Sequence, residues 1–451
     1  MARKASVTNE VWSVVNPHAA GLDIGASEIW ACVPADQDPT SVRSFGTFTP
    51  DLQALVAWLV ACQVTTVAME STGVYWIPIF ELLEERGLQV YLVNARHIKN
   101  VPGRKSDVQD CQWIQRLHSY GLLSASFRPE AEMVVLRSYL RHRAMLIEHR
   151  AAHIQHMQKA LQQMNVQLTQ VLSDISGVTG LAIIRAIVAG ERNPAKLAQL
   201  RHGRCQRSEA DIAKALTGHY RAEHVFALKQ ALALYDAYTT QVAECDQQLE
   251  QQYQAIKPRF DPDDPDAPLG PDPKFNSHSK NAPGFEVRRQ LFQLTGIDLT
   301  QVDGLHVSSV QQLLAETGTD MSKWRTVKHF ASWLGLAPHN DITGGRVVRS
   351  HTLNSHNRAG QILRVAAQSV GRGKSALGAY FRRMRARLGV EQAITATAHK
   401  LARIIYHMLQ YHQAYRPLSA EAYDEQQRQR EIKRLKRQAA RLGFSLQPQS
   451  S

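Results

Sequence analysis

Apolar and polar positions change over in short blocks between residues 18 and 125, and the blocks predict strands and helices by turns. GLDIGASEIWACV reads as one strand and SVRSFGTF as another, while DLQALVAWLVAC reads as a helix with Asp51 placed to cap it. VTTVAME is then a strand, VYWIPIFELLEER a helix closed by Gly87, and LQVYLVN a further strand. Strands come first as a pair and then alternate with helices, so a mixed α/β sheet is the economical assignment.

From Ala131 to Gln170 the pattern lengthens into polar-apolar helix, and a second such stretch runs from Glu223 to Lys257 after the short apolar helix LAIIRAIVAG. Two long helices of this type can pair as an antiparallel or intermolecular coiled coil, although strict heptads do not persist. PRFDPDDPDAPLGPDPKFNSHSKNAPG, residues 258–284, crowds proline with aspartate and predicts a disordered linker. After Phe285 the text is mainly helical, through VRRQLFQLTG, VSSVQQLLAETG, VKHFASWLGL, NRAGQILRVAAQSV and ITATAHKLARIIYHMLQYH. The tail, EQQRQREIKRLKRQAARLG, is a charged helix, and no internal repeat is evident.

Composition narrows the partners. At 451 residues the chain exceeds what one core usually supports, and 53 Lys plus Arg against 40 Asp plus Glu leave a net charge of +13. Such a surplus favours a polyanionic partner, because each cation that neutralises a phosphate releases a counterion. Cys32, Cys62, Cys111, Cys205 and Cys245 are scattered without a C-x-x-C pair, which argues against a disulfide framework and a thiolate zinc site and fits a reducing cytoplasm. MARKASVTNEVW has no apolar run resembling a secretion signal, and the apolar stretch from Leu52 to Met69 is broken by Gln53, Gln63 and two threonines. A cytoplasmic protein without a membrane partner is expected.

Four carboxylates stand out in the first block. Asp23 lies inside the first strand among apolar neighbours, where a charge is costly unless paired, and Glu70 ends the strand VTTVAME. Ser106 with Gln109 suggests a capping box, which puts Asp107 at the first helical position and Asp110 a turn later on the same face. Two carboxylates from a helix and one from each of two strands could surround a pair of magnesium ions, in the pattern of an RNase H-like nuclease sheet. Each alone reads more plainly as a cap, a dipole partner or a solvated strand end.

A second candidate is HNDITGGRVVRS. Thr343 offers a hydroxyl, Gly344 and Gly345 remove two side chains beside it, and Arg346 and Arg349 supply forked donors for phosphate. Arg358, Arg364, Arg372 and Lys374 follow downstream as further nucleic-acid contacts. A threonine hydroxyl needs a base or a metal to act as a nucleophile, and without one the segment is an ordinary turn. The helical run His142, His149, His153 and His156 invites a metal reading, but beside Arg141, Arg143 and Arg150 it more plainly serves RNA or a partner helix.

Taken together, GLDIG, AMESTGVYW, GRKSDVQDC with LHSYGLL, GVTGLAIIRAIVAGERNP, LTGIDLTQVDG, GTDMSKW, KHFASWLGLAP and ITATAHKLARIIY resemble, over nearly the whole chain, the transposases of bacterial insertion-sequence family one-ten. These are DEDD-type recombinases guided by a bridge RNA. The resemblance implies a RuvC-like, RNase H-like α/β domain over 18–127 with its acidic tetrad on Asp23, Glu70, Asp107 and Asp110. It implies a helical coiled-coil middle over 131–257, and, after the linker, a mainly α transposase domain over 285–416 and a basic helical tail over 417–451. It also implies Mg2+, donor and target DNA, a structured guide RNA, and homodimers or homotetramers in which the acidic domain of one subunit meets the C-terminal domain of another. The family nucleophile is a serine before the glycine pair; this chain carries Thr343 there, which keeps the hydroxyl and adds a methyl group that stiffens χ1. The competing classes are a metal-dependent structure-specific nuclease that uses water, and a nucleic-acid-binding remnant without activity.

Overall fold

The structure, a computed structural model of the 451-residue chain, describes residues 13–70, 73–94, 107–264, 269–272, 280–352, 357–445 and 447. The chain divides into two units, Met1–Arg128 and Pro129–Ser451.

The first unit is built on five strands: β1 (Ala19–Ile24), β2 (Glu28–Cys32), β3 (Val42–Gly46), β4 (Thr66–Glu70) and β5 (Gln89–Val93). They lie in the order β3-β2-β1-β4-β5, with β1, β2 and β3 antiparallel and β4 and β5 parallel to β1. This mixed sheet, with helices α1 (Thr49–Ala61), α2 (Trp76–Glu85) and α3 (Asp107–Ser119), is consistent with the expected RNase H-like domain. Two local expectations are corrected. GLDIGASEIWACV is a hairpin, not one strand, because Gly25, Ala26 and Ser27 turn the chain and the Gly25 amide donates to the Glu28 carbonyl at 3.0 Å. Asp51 does not cap α1: Phe48 holds that position without a side-chain bond, Thr49 and Pro50 open the helix, and Asp51 lies in its first turn.

Period-two alternation decides what each face of the sheet carries. Ala20, Leu22 and Ile24 of β1 join Val67 and Met69 of β4 in the core with Leu55 and Leu59 of α1 and Ile79 and Leu83 of α2. The residues between them face α3. A Cβ on Gly21 would lie 2.8 Å from the Gln115 Cα and closer still to the Cys111 carbonyl oxygen, so only glycine lets α3 lie flat on β1. Gln115 Nε2 donates to the Ala19 carbonyl at 3.4 Å, and the buried Ala68 packs with Val93, Ile114 and Leu123.

At its far end α3 is pinned by His118, which is 0% exposed. Its Nε2 stands 2.8 Å from the Thr66 hydroxyl and its ring centroid 4.6 Å from that of Tyr91. Thr66 gives its single proton to the Gln89 carbonyl at 3.1 Å, so His118 must donate through Nε2, leaving Nδ1 bare and without a partner among the described residues. Burial holds this imidazole down to about 4, in its neutral form.

The second unit opens with the long helix α4 (Ala131–Gln163), followed by α5 (Leu168–Val171), α6 (Val178–Ala189), α7 (Pro194–Ala198), α8 (Glu209–Ala215) and a second long helix α9 (Ala222–Ala255). α4 and α9 run antiparallel, since Arg143 pairs with Asp246 at 2.5 Å near one end while Met157 and Leu161 share a cluster with Leu228 and Leu232 at the other. Ile183, Ile184 and Ile187 of α6 complete that cluster.

The linker expected over 258–284 falls partly outside the described residues, at 265–268 and 273–279; its described part is tied in by Arg288 to Asp272 at 2.6 Å and by Phe260 against His412 at 5.3 Å. The remaining helices are α10 (Val287–Thr295), α11 (Val307–Thr317), α12 (Val327–Trp333), α13 (Arg358–Val370), α14 (Ala376–Leu388), α15 (Val390–Tyr411) and α16 (Ala420–Arg441). Phe330 is their buried centre, 4.8 Å from the Trp324 ring and 5.7 Å from that of Tyr406. Among the described residues no helix is long and apolar enough to cross a membrane.

Replacing Gly21 with alanine forces α3 off the sheet. The expected result is a lower urea midpoint with an unchanged m-value, corresponding to a loss of about 1–3 kcal/mol. An unshifted midpoint would show that the close approach does not seat the helix.

Candidate active site

The contacts that seat α3 also aim it. Gln115 meets Ala19 and Cys111 meets Gly21, so α3 runs antiparallel to β1 and its amino-terminal turn arrives at the carboxyl end of that strand. Asp107 and Asp110, three residues apart on one helix face, are carried there together. Asp23, two residues beyond Gly21, points to the same side. β1 and β4 are paired with Leu22 opposite Met69, so the next residues in line, Asp23 and Glu70, are neighbours on that side of the sheet.

Electrostatics records the convergence. Asp23 is pushed up to about 6, first by burial and then by the charges of Asp107, Asp110 and Glu70, against the opposing pull of the Ile24 amide. Cys111, fully buried beside them, keeps its proton: a hydrogen bond with Cys32, burial and the charge of Asp23 all raise its pKa. The structure thus brings together all four acids singled out in the sequence, although the Ser106 of the expected capping box lies outside the described residues.

Among the described residues no three His, Cys, Asp or Glu side chains close tightly enough on one point to hold a metal ion as they stand. The donor set nevertheless fits a hard divalent cation. It consists of carboxylates alone, and a cation between them would relieve both the burial of the Asp23 charge and the repulsion from its neighbours. The histidines of α4 form no such group; His149 and His153 stack on Tyr238 of α9 at 5.7 and 5.4 Å, as packing aromatic rings.

In the second unit Thr343 ends β6 (Pro338–Thr343), which pairs with β7 (Arg346–Thr352) in a two-stranded antiparallel ribbon. The sequence reading of this region as mainly helical overlooked the ribbon. Gly344 and Gly345 form its two-residue tip at φ +56° and +74°, and nothing crowds the space where a Cβ would sit. Backbone conformation, not packing, therefore calls for glycine in this hairpin turn. Thr343 is paired with Arg346, and Asp341 with Arg349, across a register shift between Asp341 and Ile342. His339 and His351 flank Asp341 at 3.8 and 3.9 Å, a grouping the sequence reading did not single out.

The downstream cations differ in their freedom. Arg346, Arg349, Arg358, Arg372 and Lys374 are exposed, whereas Arg364 is half-buried and donates to the Gly335 carbonyl at 2.8 Å. Ser350 lies exposed on β7, and Ser355 is outside the described residues.

Two family models match the chain: one described as Transposase, of the DEDD and IS110 type, over residues 20–166, and one described as Transposase IS116/IS110/IS902 family over residues 298–382. The chain belongs to the IS110 family of transposases. The first match runs from β1 through α4 and contains all four carboxylates; the second contains the ribbon with Thr343 and the basic residues from Arg346 to Lys374. No curated protein matches this IS110-family chain. Family membership makes it a DNA transposase, and its substrates are DNA.

Because burial and the neighbouring acids raise Asp23, removal of its charge is felt in stability. The raised carboxyl leaves the fold unburdened below its ordinary value of 3.8 and burdens it increasingly as pH rises through about 6. Asp23→Asn in chelator should thus match the wild type near pH 4 and exceed it at pH 7, by on the order of 1–2 kcal/mol after allowance for solvent screening. His118 acts in the opposite sense, since its lowered value removes stability as pH falls from 6.5 through about 4, but it does so in both proteins and cancels in the difference. Urea unfolding at the two pH values checks this, and a gain that ignores pH would rule out the ionised Asp23 carboxylate as its source.

Proposed function

We propose that this transposase cuts and rejoins DNA strands through a covalent link to Thr343, with Asp23, Glu70, Asp107 and Asp110 holding two magnesium ions. The observation that carries the reading is the placement of the acids: β1–β4 pairing sets Asp23 beside Glu70, and α3, running antiparallel to β1, brings Asp107 and Asp110 to the same end of the sheet. When bound, magnesium would supply positive charge to phosphate oxygens and to the departing oxygen.

The residues of the chain supply the rest. The tight turn leaves the Thr343 hydroxyl at the tip of an exposed ribbon, and Arg346 and Arg349 offer forked donors for the oxygens flanking the scissile phosphorus. A bond forms from Thr343 Oγ1 to phosphorus as the bond from phosphorus to a sugar oxygen breaks. The hydroxyl proton passes to solvent and the displaced sugar oxygen takes one up. Attack by the sugar hydroxyl of another strand reverses the step and releases the threonine. The acidic group of one subunit and the ribbon of another are read as serving one phosphodiester, in a dimer or tetramer guided by a structured RNA; the likeness to bridge-RNA-guided members supports both.

We also read the long antiparallel pair as the coiled-coil middle, and the divisions 18–127, 131–257, 258–284, 285–416 and 417–451 as the working segments.

The test uses the purified chain with magnesium, guide RNA and cognate DNA, resolved on a denaturing gel. A protein–DNA adduct is expected for the wild type and for Thr343→Ser, and none for Thr343→Ala; an adduct surviving the alanine change removes Thr343 from the role. Asp23→Asn should lose cleavage by at least a hundredfold, on the scale of lost electrostatic stabilisation, with DNA affinity nearly retained. Cleavage without an adduct would indicate hydrolysis by a water-using nuclease, and binding without cleavage an inactive remnant.

A further inference from the structure

The last three helices enclose a concentration of positive charge that the proposed reaction does not use. α14 contributes Tyr380 and Arg383, α15 contributes Lys400 and Arg403, and α16 contributes Tyr423 and Arg430, all lining one cavity of about 230 Å³. The spacings are helical: three residues apart on α14 and α15, and seven on α16, so each helix presents one face.

Tyr380 and Tyr423 meet edge to face, 6.5 Å between centroids, and Lys400 Nζ sits 4.4 and 5.0 Å from their ring centres. Arg383 lies 5.5 Å from the Tyr423 ring and donates to Gln427 Oε1. Tyr423 is 4% exposed, and its hydroxyl has no partner among the described residues.

Four cations around one small space are held against their own repulsion. Cation–π contacts with the two tyrosines offset part of it. Among the described residues no carboxylate lines the cavity, and Glu425 and Glu431 of α16 pair with Arg428 and Arg434 of their own helix. Burial and the charges of Arg383, Arg430 and Arg403 hold Lys400 below the usual lysine range. A small, multiply oxygenated anion would satisfy the cations and the orphaned hydroxyl together. Forked guanidinium donors, a lysine and a buried hydroxyl form a donor set suited to phosphate.

We propose that this cavity binds a backbone phosphate of a nucleic-acid strand, with Arg383, Lys400, Arg403 and Arg430 donating to its oxygens and the Tyr423 hydroxyl completing the set. The proposal rests on the reading of this chain as a nucleic-acid enzyme. None of its lining residues belongs to the Thr343 ribbon, and apart from Tyr380 they lie beyond residue 382, where the second family match ends.

The full-length protein tests it, by titration of single-stranded DNA, duplex DNA and a structured RNA hairpin across a salt series. The doubly changed Lys400→Gln, Arg403→Gln protein should bind at least one probe about tenfold more weakly, with the slope of log Kd against log salt shallower by roughly one or two. Tyr423→Phe keeps the packing and removes only the hydroxyl, so it should weaken the same probe about threefold even if the double variant does not fold. The probe affected identifies DNA or RNA as the source of the phosphate. Wild-type affinity and slope in Tyr423→Phe and the folded double variant, for all three probes, would overturn the cavity proposal while leaving nucleic-acid binding intact. Failure of the wild type to bind any probe would overturn the underlying reading as well.

Discussion

The charges of Glu70, Asp107 and Asp110 act against that of Asp23, and the four are held near one another by contacts of the backbone beneath them. Parallel pairing of β1 with β4 fixes two of them side by side. The missing side chain at Gly21 lets α3 bring the other two, and Gln115 and His118 stop that helix from sliding along the sheet. None of these restraints lies in the acids themselves. The stability that tolerates the cluster comes from the opposite face, where Leu22, Met69, Leu55 and Ile79 form a continuous apolar core. One face of the sheet holds the fold while the other carries a locally unfavourable charge, which is how perturbed acids at functional sites are commonly sustained.

Much of this was legible in the sequence. The acids announce themselves because each breaks a local rule: Asp23 puts charge inside an apolar strand, Glu70 ends one, and Asp107 with Asp110 repeats at one helical turn. What the spacing could not convey is the device that joins them. Gly21 looks like any glycine in a strand until a helix is laid across it, and its necessity belongs to a contact ninety residues away in the chain. The β1–β2 turn was read through because Gly25, Ala26 and Ser27 interrupt the apolar pattern too briefly.

The ribbon carrying Thr343 was overlooked for a different physical reason. All six residues of β6 are exposed, so no alternation of buried and solvated positions marks it, and only the glycine pair between two β-branched runs betrays a hairpin. The histidines of α4 show the same limit of spacing from the other side. Residues four apart do share a face, but what that face meets is Tyr238 of α9, which is ring packing and not a ligand sphere. A periodic pattern tells which side chains look the same way; it does not tell what they look at.

The exposure of the ribbon also constrains any chemistry at its tip. An isolated two-stranded hairpin is marginal, and here Ile342, Val347 and Val348 remain 62, 55 and 71% exposed, so little packing braces the Thr343 hydroxyl. Attack on phosphorus needs the oxygen within a few ångströms of its target and aligned with the departing bond. The ribbon does not supply that alignment alone. Under the proposed reaction it must come from what the ribbon meets, the phosphate gripped by Arg346 and Arg349 and the acidic group that orients the same phosphate. The methyl of Thr343, by restricting χ1, then narrows the orientations from which the hydroxyl can be recruited. A serine at that position would sample more of them, so threonine there acts chiefly on the geometry of approach, not on the acidity of the hydroxyl.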